Sequence, residues 1–385
     1  MIQSLLRAAG CAALVFAVSA APRAEIAVVS NDAHTVLDDG KQIAAKNAPA
    51  DTVAIVDLAQ YPPKITGTVD APGSVVGPPM AVAVAPDESW AVVTSATKAD
   101  PSGPGGIGPD DRVSVIDLTG KPPRVIQSLT AGAGATTVRF TPDMKLALIA
   151  NRAEGTVSLF GIDGKTLTPA GKLDLGNPKA GPSGLAVLPD GRSALLSRDG
   201  DSMVSVLHIE GATVTVDPRP ITAGMKPYTL DVNAGGTLAA VSNMGRGDGD
   251  ADSVSLIDLT KQPFRTVAFI TVPSGPEGLK FSPDGKFLAV GSQNGTTKPA
   301  ASTFLGTRGR FMLFALEDQT PRLVAEAPVG GWNQGIAFSR DGRTILVESM
   351  TGRDLSVFRW ENGVLTKGDD LPLGAGAAAM RTAWP

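Results

Sequence analysis

The chain of 385 residues contains very little cysteine and histidine, two side chains that enzymes commonly use as nucleophiles, bases or metal ligands. It has one cysteine, Cys11, and two histidines, His34 and His208. One cysteine cannot form a disulfide within the chain, and thiolate metal sites need several cysteines. Two isolated histidines do not form a cluster of the kind that holds zinc, copper or haem. The composition therefore argues against thiol chemistry and against histidine-rich metal centres.

Recognisable catalytic motifs are also absent. The sequence has no Gly-x-Ser-x-Gly elbow, so the motif of the serine hydrolase triad is missing. The glycine-rich segment Gly103–Gly108 lacks a lysine and is not followed by a helical pattern, which excludes a phosphate-binding loop. His208 falls in a predicted strand and is expected to be structural. His34 falls in a long loop and is therefore the histidine candidate for a catalytic acid or base.

Long runs of one kind of side chain are missing as well. The formal net charge is −4, and no basic run occurs. We therefore expect no nucleic-acid partner and no patch for a charged membrane surface. Beyond residue 24, no apolar stretch approaches the ~18 residues that would span a bilayer, so no transmembrane segment is predicted after signal cleavage.

The first 24 residues match the pattern of a secretory signal peptide. Arg7 supplies the positive n-region, Ala8–Val18 form the apolar core, and Val18-Ser-Ala20 is a small-residue cleavage site. The apolar core is too short for a membrane span. We predict a signal peptide over residues 1–24 and a periplasmic or secreted protein, whose mature form would contain no cysteine.

What the sequence does contain is a repeated strand–turn–strand unit. In Gly278–Gly291, an alternating segment leads into the turn Pro283-Asp-Gly285, and a second apolar segment follows. Proline presets the first dihedral of such a turn, and glycine accepts the positive φ that comes next. The turns lie roughly 45 to 57 residues apart, a period typical of propellers and solenoids. The unit recurs at Ala81–Thr94, Thr137–Ala150, Gly184–Ser197, Thr229–Ser242 and Gly335–Ser349.

The number of third strands predicts the number of blades. Seven segments of the type Val-Ser-Val-Ile-Asp-Leu follow the second strands, and the first of them is Thr52–Leu58. It is preceded by a second strand, Ile26–Asn31, but by no first strand. Met380–Pro385 resembles the first strand Thr137–Pro142, so we predict that it joins the N-terminal blade and closes the ring. Residues 25–385 are therefore predicted to form an all-β, seven-bladed propeller of four-stranded antiparallel blades.

The two ends of such a propeller differ in loop length. The Pro-Asp-Gly turns at one end are short, whereas the opposite connections are long in blades one, two, five and six. Loops on a rigid scaffold commonly carry binding residues. We therefore predict that the loop-rich end binds a protein partner or a small polar or anionic ligand. The candidate ligand-binding residues are Asn31, Asn151, Arg152, Arg198, Tyr228, Asn243, Glu277, Trp332, Asn333, Gln334 and Arg381. The asparagines have an alternative role, which is to cap strands and turns.

Two groups of charged residues are candidates for other roles. Asp231 and Lys280 occupy the same place before the turn in adjacent blades, which predicts an ion pair between blades or, alternatively, a charged relay along the channel. Asp248, Asp250 and Asp252 alternate in one loop and are able to converge on a hard cation such as Ca²⁺. The alternative is a solvated acidic loop. No other cofactor is expected.

The repeats resemble the YVTN-type β-propeller repeat and, more broadly, the seven-bladed lactonase-like propellers. The resemblance rests on strands such as Val113–Leu118, turns such as Phe281–Gly285 and Asn-Gly connections such as Asn151–Gly155, and it covers essentially all of residues 25–385. It implies the fold rather than an activity, because these motif residues are structural. Lactonase-like relatives often carry histidines next to their inner strands, and this chain has none there.

Three functional hypotheses follow. The leading hypothesis is an exported propeller that binds a ligand or a protein partner on its loop-rich face. The first alternative is a lactonase-like hydrolase that opens a cyclic ester, with Glu277 or His34 as the base. In that case Arg152, Arg198 or Arg381 would stabilise the negative charge that develops. The second alternative is a subunit of a periplasmic redox assembly whose cofactor is held by a partner.

Overall fold

A computed structural model describes residues 25–317 and 320–383 of the chain; the predicted signal peptide and the last two residues lie outside these ranges. The described residues form seven antiparallel sheets arranged as a propeller, which confirms the predicted all-β, seven-bladed fold. The one helical element in these ranges is a 3₁₀ turn, Pro104–Gly106. No helix in this part of the chain is long and apolar enough to cross a bilayer.

Each blade has an inner strand at the channel, followed outward by a second, a third and an outer strand. In that order, the first four blades consist of Gly376–Thr382, Ile26–Asp32, Thr52–Asp57 and Lys64–Asp70; Val82–Val84, Trp90–Thr94, Arg112–Asp117 and Arg124–Thr130; Ala135–Phe140, Leu146–Asn151, Thr156–Asp163 and Thr166–Asp174; and Pro182–Val187, Ser193–Arg198, Met203–Glu210 and Thr213–Val216 with Ile221–Thr222. Blades five to seven consist of Pro227–Val232, Leu238–Asn243, Asp252–Asp258 and Arg265–Val272; Pro276–Phe281, Phe287–Ser292, Gly309–Glu317 and Thr320–Val329; and Asn333–Phe338, Thr344–Ser349, Asp354–Glu361 and Val364–Lys367 with Leu371–Pro372. Two hairpins lie outside the blades, Thr35–Asp38 with Lys41–Ala44 and Thr97–Ala99 with Ile107–Pro109.

The turn between the inner and second strands requires a residue with positive φ. Gly285 has a φ of 70° at this place, and Glu88 and Met144 adopt 59° and 55° in the blades that lack the glycine. Asp284 stabilises the turn, because its Oδ1 accepts a hydrogen bond from the backbone N–H of Lys286 at 3.1 Å. In the Pro-Asp-Gly sequence, glycine therefore supplies the positive φ that the turn needs, and aspartate supplies the side chain that caps the turn.

The ring closes as predicted, but the closing strand begins earlier than the sequence suggested. It spans Gly376–Thr382 and pairs antiparallel with Ile26–Asp32, with Met380 opposite Val29 and Arg381 opposite Val28. A strand starting at Met380 would leave most of Ile26–Asp32 unpaired. In the observed register the closing strand therefore extends toward the N-terminus and begins at Gly376. Arg381 consequently lies near the turn end of its strand, and its predicted place at the loop-rich end is wrong.

Seven clusters of buried apolar side chains hold the described blades together. Each cluster joins two adjacent blades, and the set includes the pair formed by blades seven and one. In that closing interface, Ala377 and Met380 pack with Leu346 and Val357. Burial of apolar surface between sheets is the main stabilising contribution in such a ring.

Removal of the closing strand should therefore be far more damaging than loss of an ordinary tail. Deletion of residues 376–385 withdraws Ala377, Ala379 and Met380 from the core, and we expect it to lower the free energy of unfolding by at least about 3 kcal/mol. Urea denaturation followed by circular dichroism measures the change. The control is a circular permutant that joins residue 383 to residue 25 and opens the chain at the turn around Gly211. A truncated protein that melts within a degree or two of the full chain would contradict closure by this strand.

Candidate functional site

The loop-rich end of the channel opens into a cavity of about 840 Å³, which we call the rim cavity. It receives residues from all seven blades. The cavity is lined by Leu37, Gly40, Gln42, Val76, Ala96, Thr97, Ile107, Gly108, Pro109, Gly134, Thr136, Arg152, Ala153, Lys179, Gly181, Asp199, Gly200, Lys226, Tyr228, Met244, Gly247, Glu277, Gln293, Thr297, Lys298 and Trp332.

The long loops of blades one, two, five and six contact one another around part of this cavity. The blade-one hairpin reaches blade six, where the N–H of Ala300 donates to Asp39 Oδ1 at 2.6 Å. It also packs on the blade-two loop so closely that a Cβ on Gly105 would lie 2.5 Å from the carbonyl oxygen of Gln42. Gly249 of blade five approaches Phe304 of blade six in the same way. These contacts form a continuous wall, whereas blades three and four contribute only short loops and leave the other side of the cavity lower.

Arg152 and Tyr228 form a fixed positive group in the cavity. Arg152 Nη2 lies 2.5 Å from Asp199 Oδ2, and Arg152 Nε donates to the same carboxylate at 3.2 Å. The guanidinium carbon lies 5.9 Å from the centre of the Tyr228 ring. A bidentate carboxylate and an aromatic face hold the guanidinium in one orientation. Asp199 therefore neutralises Arg152 without removing it from the surface of the cavity.

Glu277 is the buried carboxyl group of the rim cavity. Gln334 Nε2 donates to Glu277 Oε2 at 2.5 Å. Burial raises the pKa of Glu277 to about 8, against hydrogen bonds from Gln293, Trp332 and Gln334 that lower it. The carboxyl group is therefore largely protonated at neutral pH. In that state it is able to donate a hydrogen bond, and the ionised form that serves as a general base accumulates as the pH rises through about 8.

Trp332 connects the cavity to a small apolar cluster beneath the blade-one hairpin. Its side chain is buried and packs with Val75, Met350 and Ala378, and Leu37 of the hairpin covers them. Its φ of 45° places the residue in the left-handed region, which a tryptophan seldom adopts. Thr296 Oγ1 accepts a hydrogen bond from the Trp332 N–H at 2.9 Å. The tryptophan is thus held by the surrounding structure rather than by local preference.

The predicted asparagines are buried and directed into their own blades. Asn151 Oδ1 accepts from the N–H of Gly132 at 3.0 Å, and its Nδ2 donates to Thr156 and Ser158 at 2.9 Å. Asn243 makes the equivalent set of bonds in blade five. Asn31 donates to Thr52, and Asn333 donates to the carbonyl of Ser292. The structure therefore assigns these four amides to strand and loop capping, the alternative role that their residue type allowed.

Two of the predicted arginines do not reach the rim cavity. Arg198 turns toward its own blade, where Nη2 donates to Asp201 and Nη1 donates to Ser205 at 3.2 Å. Arg381 lies inside the channel, 4.0 Å from Asp231, which in turn pairs with Lys280 at 3.0 Å. The predicted ion pair between blades five and six is present, and Arg381 joins the same group of charges.

The two candidate bases lie in different places. Glu277 lines the rim cavity, whereas His34 lies at the base of the blade-one loop beside Asp51 and Asp32 and does not line it. Burial lowers the pKa of His34, but the hydrogen bond to Asp51 and the charges of both aspartates outweigh it and raise that pKa. His208 pairs with Asp217 at 3.1 Å on the outer part of blade four, consistent with a structural role.

The structure does not bring the three predicted calcium residues together. Asp248 and Asp250 are hydrogen-bonded to each other, which lowers the pKa of Asp248 and raises that of Asp250. Asp252 is turned away, with Oδ2 accepting from the N–H of Gly275 at 2.8 Å. Among the described residues, the three acids are not a group whose ligand atoms meet.

Sequence reasoning also missed several residues that matter. Lys179 and Lys298 line the rim cavity, but they lie in loops whose contacts no local pattern reports. Glu348 is fully buried in the second strand of blade seven, where Oε2 accepts from the N–H of Gly335 at 2.6 Å. Burial raises the pKa of Glu348 to about 8. A lone carboxylate inside the apolar segment Thr344–Ser349 was the signal that could have identified it.

Comparison with known proteins supports the fold alone. No family model and no curated protein matches the sequence. A periplasmic gluconolactonase from Pseudomonas aeruginosa is 18% identical with a TM-score of 0.67, over 94% of this chain and 99% of that protein. A candidate 6-phosphogluconolactonase from Bacteroides fragilis is 14% identical with a TM-score of 0.70, over 94% and 98% of the two chains. The hydrazine synthase of Kuenenia stuttgartiensis is 16% identical with a TM-score of 0.62, over 80% and 90%. This chain therefore shares the propeller architecture of lactonase-like proteins at low identity.

The buried carboxyl of Glu348 makes stability depend on pH. Its pKa rises from an ordinary 4.5 to about 8 on folding, so its favourable contribution is complete below pH 4.5 and is lost as the pH rises through 8. We expect Glu348→Gln to remove this loss. Between pH 5 and pH 9 the free energy of unfolding of the variant should rise by at least about 2 kcal/mol relative to that of the native chain. Urea titrations at the two pH values measure it, with the exposed Glu326→Gln as control. Parallel pH profiles for the native chain and Glu348→Gln would contradict the assignment.

Proposed function

We propose that this chain is an exported, divergent propeller of the YVTN type that binds a small anionic ligand in the rim cavity. The observation that carries the proposal is the charge of the cavity lining, in which four cationic side chains face two carboxyl groups. One of these carboxyl groups, Glu277, is largely neutral at pH 7. An excess of positive charge in a concave site favours an anion over a neutral or cationic ligand.

The lysines of the low side of the cavity are the groups most available to a ligand. Arg152 is engaged by Asp199, and Lys298 donates to the backbone carbonyl of Gly247. Lys179 precedes the inner strand of blade four and Lys226 precedes that of blade five; both are exposed, and neither forms an ion pair with any described residue. A carboxylate or phosphate entering over blades three and four would meet these two ammonium groups first and Arg152 below them.

Export to the periplasm is part of the same proposal. It is supported by the signal-like pattern of residues 1–24 and by the absence of cysteine after Cys11. A rigid ring with an open, charged cavity suits the capture of a small solute there, and the long-loop wall supplies a surface for a protein partner on the same face.

Binding of small anions tests the proposal directly. Isothermal titration with gluconate, glucarate, citrate and inorganic phosphate should identify a ligand whose affinity falls at high salt. Removing two ammonium groups that face the ligand should weaken this binding, so we expect Lys179→Gln with Lys226→Gln to raise the Kd at least about tenfold.

The matched control is Lys286→Gln, which removes an exposed lysine from a turn at the opposite end of the propeller. It should leave the Kd unchanged. Equal affinity in the double variant, or no binding by any member of the panel, would count against an anion site in the rim cavity.

Hydrolysis of a lactone is the second candidate function. Glu277, Arg152 and Tyr228 line the same cavity, and two proteins of similar fold are described as lactonases. Glu277, once ionised, would take a proton from a water that attacks the lactone carbonyl, and Arg152 would stabilise the oxyanion. Collapse of the tetrahedral intermediate breaks the ring C–O bond, and the alkoxide takes the proton from Glu277 to give the hydroxy acid.

The pH profile separates this candidate from simple binding. Because Glu277 is a base only when ionised, kcat/KM for a sugar lactone should rise with pH and level off above about 8, after subtraction of the uncatalysed rate. Glu277→Gln should lower kcat/KM at least about 100-fold. Glu348→Gln is the matched control, because it removes a buried carboxyl group with a similar pKa that does not line the cavity. Turnover that survives in Glu277→Gln would exclude this mechanism.

A further inference from the structure

A second constellation lies outside the rim cavity, at the base of the long blade-one connection. Asp32 ends the second strand of blade one, His34 follows it, and Asp51 immediately precedes the third strand. The side chains of Asp32, His34 and Asp51 are 0%, 9% and 9% exposed. Within residues 25–317 and 320–383, they are the one group of three such side chains whose ligand atoms all lie within 4.8 Å of one another.

The imidazole nitrogen Nδ1 of His34 faces more oxygen atoms than one proton can serve. It lies 3.0 and 3.1 Å from the two carboxylate oxygens of Asp51 and 3.1 Å from Asp32 Oδ1. A single N–H hydrogen bonds well along one direction only. Two buried carboxylates therefore face Nδ1 of one imidazole, and a single proton on this nitrogen cannot bond well to all three oxygens.

The backbone holds both carboxylates in place as acceptors. Each of the four oxygens receives one N–H, an arrangement that fixes the direction of the remaining lone pairs. The donors are the N–H groups of Thr35 at 2.7 Å and Val75 at 2.8 Å for Asp32, and of Ala33 at 2.9 Å and Gly73 at 3.2 Å for Asp51.

We propose that Asp32, His34 and Asp51 bind one divalent transition-metal ion. Bonds of about 2.1 Å to a nitrogen and an oxygen at right angles place these two atoms about 3.0 Å apart. The Nδ1 to Oδ1 separations, 3.0 Å for Asp51 and 3.1 Å for Asp32, match this spacing. Right-angled bonds are octahedral, which suits Mn²⁺, whereas tetrahedral Zn²⁺ would separate the same two atoms by about 3.4 Å. Ca²⁺ prefers a shell of oxygen atoms and suits the imidazole less well.

Unpartnered polar atoms around the cluster point the same way. Thr35 Oγ1 is buried, makes no hydrogen bond with the described residues, and belongs to a residue that lines a cavity of about 220 Å³ together with Asp32. Asn31 Oδ1, one residue before Asp32, is also buried without a partner among the described residues. The cavity beside Asp32 leaves room for water molecules to complete the coordination of an ion.

Such an ion would join the two ends of the connection that carries the blade-one hairpin. Asp32 and Asp51 bracket this connection, and the hairpin forms part of the wall of the rim cavity. Closing the loop at its base restricts the hairpin without touching the cavity itself. Metal binding by Asp32, His34 and Asp51 is therefore independent of any ligand in the rim cavity.

Metal titration of the mature chain tests the proposal. After treatment with EDTA and its removal, isothermal titration with Zn²⁺ and separately with Mn²⁺ should show one ion per chain, and the melting temperature should rise. Ca²⁺ should bind at least tenfold more weakly. Limited proteolysis between residues 32 and 51 should slow at least threefold when the metal is present.

Variants locate the ion. His34→Gln and Asp51→Asn should each weaken binding at least tenfold, with folding checked by circular dichroism. The matched control is His208→Gln, which removes the other histidine, paired with a single carboxylate at 3.1 Å, and should bind as the native chain does. If a variant does not fold, the d–d absorption spectrum of Co²⁺ bound to the native chain is measured instead. A spectrum that shows no nitrogen ligand overturns the proposal. Absence of stoichiometric binding, or equal binding in His34→Gln, overturns it as well.

Discussion

The pairing of Gly376–Thr382 with Ile26–Asp32 holds the propeller closed. It turns a row of sheets into a ring, so every blade gains two apolar interfaces and no sheet is left with an open inner face. Because each interface buries alternating side chains from both blades, the ring behaves as one body. The positions of the residues around the channel follow from that closure.

The closed channel has two chemically different levels. Near the loop-rich end, the rim cavity exposes Arg152 and lysine side chains above the buried carboxyl of Glu277. Deeper in, Asp231 is surrounded by Lys280 and Arg381, while Arg139 donates to backbone carbonyls of blade two. Burial lowers the pKa of Lys280 to about 8, which shows how costly this group of charges would be without Asp231. The deeper level is suited to setting the register of the blades, and the upper level to meeting a solute.

The long loops combine a structural and a functional role. Loops from blades one, two, five and six pack on one another, so the hairpin of blade one is held at its tip by Ala300 and at its base by the cluster around His34. Loops that are fixed at both ends lose less conformational freedom when a ligand binds. The asparagines that end the second strands contribute to the same rigidity from below, since their amides tie strands to loops rather than to a ligand.

The architecture could be predicted from the amino-acid sequence. Alternation of apolar residues, the Pro-Asp-Gly turns and seven similar third strands predicted the blades, their number and the end at which the long loops lie, because these features depend on local geometry and on a period. The pair formed by Asp231 and Lys280 was also predictable, since equivalent positions in adjacent blades must face each other. The register of the closing strand, which places Arg381 in the channel, became visible only in the folded chain. The tertiary structure also decided which loop side chains share the rim cavity, and it gave His34 and Glu348 their partners. Alternation determines which face of a strand a residue occupies, but it does not specify which distant residue meets it there.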